Sequence, residues 1–101
     1  MIKSGGENVA SREVEEMIYR LPQVSEVAVI GLPDPKWVEA VTAVVVVKAG
    51  QELAEIDVIT HCEAHMAKFK APKRVIFADQ LPKNPSGKLL KRELRQLHVS
   101  A

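Results

Sequence analysis

The stretch "AVTAVVVVK", residues 40–48, decides the fold. β-Branched residues dominate it, and their stiff side chains suit a pleated strand. A half-buried strand alternates apolar and polar positions, whereas this one is apolar on both faces. It is therefore expected inside a sheet, with packed layers above and below. The rest of the chain must supply those layers.

Working outward, "VSEVAVIGL" (24–32) is a second β-branched strand, closed by the turn material "GLPDPKW". Before it, "SREVEEMIYRLP" (11–22) has helical spacing. Ser11 is the expected N-cap, acids fill the first turns, and Pro22 marks the stop. Val14, Met17, Ile18 and Leu21 form its buried stripe. "MIKSGGENV" (1–9) reads as a hairpin, with Gly5-Gly6 supplying the positive φ that a tight turn requires.

Downstream, "LAEIDVITHCEAHMAKF" (53–69) returns to helical spacing, with Ile59, Cys62, Met66 and Phe69 on one side. "APKRVIFAD" (71–79) gives a third strand, on which Phe77, like Phe69 before it, is expected in the core. The loop "QLPKNPSG" leads into "KLLKRELRQL" (88–97), a last helix with Leu90, Leu94 and Leu97 on one face. The prediction is one α+β domain over residues 1–101: a small three-stranded sheet, an N-terminal β-hairpin and about three packed helices.

Composition narrows the class. The 101 residues are 47% hydrophobic and 27% charged, ordinary for a globular domain. The single cysteine, Cys62, allows no intrachain disulfide, which suits a reducing compartment. The longest apolar run, residues 43–47, is too short to cross a bilayer, and no signal-peptide pattern opens the chain. A cytoplasmic location is expected. The net charge of +1 conceals an asymmetry. Residues 1–67 hold five Lys/Arg against eleven Asp/Glu; residues 68–101 hold nine against two. Such a basic third directs attention to an anionic partner, or else is a solvated face.

Several chemistries lack their residues. There is no Walker-type phosphate loop and no GxGxxG opening a helix after a strand. His61 and His65, one helical turn apart in "HCEAH", want a third and fourth ligand for zinc, so no metal site is expected, and Cys62 reads as a buried small hydrophobe. Basic residues interleaved with aromatics would mark a nucleic-acid surface, and the basic third has only Phe69 and Phe77. Trp37, in a proline-rich turn, is either a lid on the core or a stacking surface for a flat ligand.

Taken in order, "IKSGGENV", the Glu-rich helix, "GLPDPKW", "FKAPKRV" and "LPKNPSGKLLKREL" resemble the C-terminal domain of acyl-CoA synthetases, members of the adenylate-forming superfamily. The resemblance spans essentially the whole chain. It implies a fragment of a longer enzyme whose large N-terminal domain, with the hinge residue, lies upstream. It also implies a two-step reaction: a carboxylic acid, fatty by overall likeness, and ATP give an acyl-adenylate, and coenzyme A then displaces AMP. Mg2+ would accompany ATP through the missing domain, and the fragment alone would hold no cofactor.

On this resemblance the small domain rotates between the half-reactions. Lys88 matches the catalytic lysine of adenylation. Gly5 and Gly6 match the turn along the pantetheine channel, with Glu7 beside them. Lys70, Lys73 and Arg74 are the candidates for a phosphate of coenzyme A, and Trp37 for stacking on its adenine. Some aryl-CoA ligases carry arginine where this chain has Ala71, which leaves that phosphate contact to the three neighbours. Two other readings stand beside this one. In one the parent hands its acyl group to a carrier protein; in the other the chain is a small basic module that binds nucleic acid.

Overall fold

A computed structural model describes residues 2–36, 38–87 and 89–98. The described strands and helices run in chain order β1 (Ile2–Ser4), β2 (Glu7–Val9), α1 (Ser11–Ile18), β3 (Val24–Asp34), β4 (Val38–Val47), α2 (Glu55–His65), β5 (Arg74–Phe77) and α3 (Lys91–His98). A single 3-10 turn, Lys68–Lys70, separates α2 from β5. The architecture is α+β, as expected, but the N-terminal hairpin joins the sheet and makes it five-stranded.

β4 is the interior strand. Along one side it pairs antiparallel with β3, from Val24↔Val47 to Asp34↔Val38. Along the other it pairs parallel with β5, from Thr42↔Arg74 to Val45↔Phe77. Near its start β4 also meets β1 at Ser4↔Val38, and β2 lies outside β1. Because side chains alternate along a strand, the valine run divides between two cores. Val41, Ala43 and Val45 pack with Val14 and Ile18 of α1 and with Val58 and Cys62 of α2. Val44 and Val46 face the other way, towards Leu81 and Leu94. Thr42 is the buried polar member of the strand, and its hydroxyl donates to the Ala40 carbonyl at 3.1 Å.

Sheet edges expose unpaired N–H groups that invite a foreign strand. Here acidic side chains occupy several of them. On β3 the Val29 N–H donates to Glu15 Oε2 at 2.8 Å, and on β5 the Val75 N–H donates to Glu55 Oε2 at 2.9 Å. Where β1 has little ladder with β4, the Lys3 N–H donates to Glu39 Oε1 at 3.0 Å.

The boundaries differ from the sequence reading in instructive ways. Ala10, not Ser11, is the N-cap of α1 and offers no side-chain cap; Ser11 is the first helical residue and its hydroxyl receives Lys91 Nζ instead. The helix stops at Ile18, four residues before Pro22. α2 opens later than expected, where Asp57 Oδ2 accepts the Ala54 N–H, and it closes before Met66, whose backbone is extended. α3 begins at Lys91 rather than at position 88. Phe69 and Phe77 are partly exposed rather than core, and Leu97 is open to solvent; Leu94 alone is the buried leucine of α3. β3 runs on through Pro33, which an edge strand tolerates because no ladder partner needs its missing N–H.

Val38 carries the one strained backbone position among the described non-glycine residues, at φ +70°. A β-branched side chain in the left-handed region costs about 1–2 kcal/mol. Val38 is 65% exposed, so its side chain gains little burial in return. Val38→Gly should remove the strain and lose roughly 0.5–1 kcal/mol to the greater freedom of the unfolded chain. The expected net gain is about 1 kcal/mol, read as a rise of roughly 4 °C in the midpoint of thermal unfolding.

Candidate active-site surfaces

Gly5 and Gly6 take φ values of +58° and +87°, the paired positive angles of a tight hairpin turn, closed by Ser4↔Glu7. A Cβ placed on Gly6 would meet nothing within 4 Å. Glycine is thus needed here for its backbone angle, and the space in front of the turn belongs to whatever lies outside the domain. Glu7 is exposed beside it. The Ser4↔Val38 pairing sets this turn against the β3–β4 turn, where Asp34 Oδ1 accepts the Lys36 N–H at 2.8 Å. Trp37 belongs to that turn by sequence and lies outside the described residues.

β2 packs beside the 3-10 turn, so the glycine hairpin and Lys70 share a neighbourhood. Lys70 Nζ is already engaged by Glu13, at 2.9 Å and 3.3 Å from its two oxygens. Lys73 Nζ donates to the Lys68 carbonyl at 3.3 Å, while its backbone N–H donates to the Val41 carbonyl at 2.7 Å. Arg74 is exposed at the start of β5. Ala71, between them, is buried in the core.

The other candidate surface is the loop that precedes α3. Lys83↔Leu89 forms an antiparallel bridge, and the Leu90 N–H donates to the Pro82 carbonyl at 2.9 Å, which closes the base of the loop. At its tip Asn84 accepts the Ser86 N–H on Oδ1 at 3.0 Å and the Gly87 N–H on its carbonyl at 2.8 Å. Gly87 sits at φ +84°, a backbone that a Cβ would strain. Lys88 itself lies outside the described residues. α3 opens only at Lys91, three residues further on.

The two surfaces stand at opposite ends of the sheet. Lys83 pairs with Glu26, near the start of β3, whereas the glycine turn meets β4 opposite Asp34, the last residue of β3. Eight residues of extended strand between Glu26 and Asp34 amount to roughly 25 Å.

Part of the charge asymmetry of the sequence is met inside the fold. Lys70 pairs with Glu13, Lys83 with Glu26, Lys91 with Glu15 at 2.8 Å, and Arg95 with Glu39 at 3.5 Å. Each pair joins the basic third to the acidic remainder. A cleft of about 520 Å³ between α3 and β3 has an apolar floor that includes Ile2, Val29 and Gly31 and a rim of Lys91, Arg92 and Arg95. None of the described candidate site residues (Gly5, Gly6, Glu7, Lys70, Lys73 and Arg74) is among those that line it.

The histidines also have structural partners. The His61 Nε2–H donates to the Met17 carbonyl at 3.0 Å, and the His65 Nδ1–H to the His61 carbonyl at 2.9 Å. Among the described residues no three His, Cys, Asp or Glu side chains gather as a metal-holding group. No described helix is long and apolar enough to cross a membrane.

A family model for the AMP-binding enzyme C-terminal domain matches residues 13–88. The chain belongs to that family. It is 51% identical over 96 residues to a long-chain-fatty-acid–CoA ligase of Mycobacterium tuberculosis, covering 95% of this chain and 19% of that protein. It is 47% identical over 97 residues to a 2-succinylbenzoate–CoA ligase of Bacillus cereus, covering 96% of this chain and 20% of the relative. A solved fatty acyl CoA synthetase from Mycobacterium tuberculosis superposes with a TM-score of 0.94 at 49% identity, over 99% of this chain and 20% of that one. This AMP-binding C-terminal domain thus spans about a fifth of the length of such relatives.

In this AMP-binding domain Cys62 is fully buried in the core between α2 and the sheet. Burial, reinforced by the charge of Glu63, pushes its thiol up to about 11. A thiol this acid-weak and enclosed should resist iodoacetamide at pH 8 in the native domain and react readily once denatured. Its folded pKa lies above the unfolded value of 9.0. The stabilisation from keeping it neutral is therefore complete below about pH 9 and is lost as pH rises through about 11. Cys62→Ser should lose that alkaline component of the unfolding profile.

Proposed function

We propose that this chain is the mobile C-terminal lobe of an acyl-CoA synthetase that works in the cytoplasm on a carboxylic acid, most simply a fatty acid. In the first half-reaction a carboxylate oxygen attacks the α-phosphorus of ATP and pyrophosphate leaves. In the second the thiolate of coenzyme A attacks the acyl carbonyl and AMP leaves. The ATP, its Mg2+ and the acid would be held by the larger N-terminal lobe, which is the partner of this domain.

The observation that carries the reading is the separation of the two loops. Each is a short, closed turn: the glycine turn belongs to the sheet itself, and the loop before α3 rests on the sheet through Leu81, Leu89 and the Lys83–Glu26 pair, near the opposite end of β3. A body so constructed can offer one loop per step. The loop after Asn84 would bring Lys88 to the α-phosphate, where an ammonium group stabilises the negative charge that develops as the new bond forms. The Gly5-Gly6 turn, with open space before it, would border the thiol channel, with Glu7 and Trp37 near by. Of the three basic candidates for a phosphate of coenzyme A, the exposed Arg74 suits the part better than Lys70, which would first have to leave Glu13. The two relatives named as CoA ligases support the reaction class, and the pairing of a long-chain acid with succinylbenzoate between them leaves the acid to the larger lobe.

In the full-length enzyme Lys88→Ala should slow carboxylate-dependent ATP–pyrophosphate exchange by about 10²–10³-fold. Thioester formation from supplied acyl-adenylate should continue. Gly6→Asn, a side chain that tolerates the left-handed backbone, should show the reverse pattern, with the larger loss in thioester formation. Equal losses in both steps for either variant would remove the division of labour. The 101-residue chain alone should catalyse no exchange.

A further inference from the structure

We propose that Glu26 and Lys83 are positioning residues of the adenylation half-reaction, a clamp that fixes the loop bearing Lys88 to the sheet. The inference rests on the role given to Lys88 above. Glu26 and Lys83 are 57 residues apart in sequence, yet the Lys83 ammonium donates directly to Glu26 Oε1. Lys83 is also the residue bridged to Leu89, the immediate chain neighbour of position 88. The carboxylate of Glu26 therefore holds the strand against which residue 89 is registered.

The rest of the loop explains why that hold is required. Backbone bonds between Pro82 and Leu90 and around Asn84 give the loop its own shape. They do not tie it to the sheet. Leu81, Leu89 and Leu94 do so through the second core, where contact is non-directional and tolerates small rotations, and past the far end of the loop Lys91 pairs with Glu15. A charge-assisted hydrogen bond is directional. The ladder also shifts register between Val24 and Glu26. Such irregularities re-aim a side chain, and here the next residue is the one that reaches the loop.

Stability alone gives little reason for the pair. Its side chains are 41% and 30% exposed, and ion pairs that face solvent add little to folding. Position is another matter, since a displacement of about 1 Å in a reacting group can cost up to ~10² in rate. The pair is thus expected to be nearly silent in stability and audible in one step of the reaction.

The experiment uses the full-length enzyme with Glu26→Ala, Lys83→Met, the exchanged pair Glu26→Lys with Lys83→Glu, and Lys88→Ala alone and combined with Glu26→Ala. Each single clamp variant should slow ATP–pyrophosphate exchange about ten-fold. Thioester formation from supplied acyl-adenylate and the thermal midpoint should stay at wild-type values. The exchanged pair should recover most of the lost rate. Because the clamp acts through Lys88, Glu26→Ala should cost nothing further in the Lys88→Ala background.

Unchanged exchange in both single variants, with Lys88→Ala still impaired, would overturn the clamp and leave the role of Lys88 standing. Equal losses in both half-reactions, or an exchanged pair no better than the weaker single variant, would also overturn it. Normal exchange in Lys88→Ala would instead overturn the assignment of that lysine and the clamp with it.

Discussion

A single strand buried on both faces is the constraint from which the rest of the domain follows. β4 has no wet side, so layers must cover it twice, and its alternation assigns each neighbour to a layer. Val41, Ala43 and Val45 call for α1 and α2; Val44 and Val46 call for α3 and the segment around Leu81. β3 flanks the strand along its whole length, while β1 at Val38 and β5 from Thr42 to Val45 take the other side. What varies around this centre is confined to the outer strands and the turns at the ends of the sheet. Those turns are where the candidate chemistry lies.

Glutamates connect the layers. Glu15 of α1 takes both the Val29 N–H on the open edge of β3 and the Lys91 ammonium at the start of α3, so one half-buried carboxylate joins three elements. Glu39 does the same for the Lys3 N–H and Arg95. Hydrogen bonds to charged groups contribute about 1.5–3 kcal/mol when well sheltered, and exposed pairs much less. The Glu15 side chain, 16% exposed, belongs nearer the first case; the Arg12–Glu16 pair, 89% and 70% exposed, belongs to the second. The imbalance between an acidic two-thirds and a basic third is thus in part a folding device. It narrows the case for a polyanion-binding face to the cations outside these pairs.

The amino-acid pattern made the strands legible because alternation and β-branching are local properties. The fate of β4, the Gly5-Gly6 turn and the burial of Cys62 could all be read in that way. Helix ends were less legible. Ser11 looks like a cap, but a lysine 80 residues away claims its hydroxyl. Phe69 and Phe77 look like core residues, and short connecting elements leave them at the surface. The strain at Val38 has no sequence signature, since "PKWVEA" reads as an ordinary turn entering a strand. Glu26 was likewise invisible as a site residue, because its partner arrives only through the tertiary fold. Lys88 and Trp37 were named through family likeness, and the structure describes the neighbours of each.

The distance between the two loops bears on how a domain of this kind would work. Neither loop is free to travel. The glycine turn is closed by three residue pairs between β1 and β2, and the loop before α3 is closed at base and tip. Between them runs a ten-pair ladder whose side chains are packed on both faces. Close-packed interiors deform little, so bending cannot carry the two loops across roughly 25 Å of strand to one point. If both serve one bound substrate, the whole domain must turn, and the cost of that motion falls on its contacts with the larger lobe. Internal stiffness is then a condition of the two-step reaction proposed above: a softer sheet would let each loop drift from the pose that its own proposed step requires.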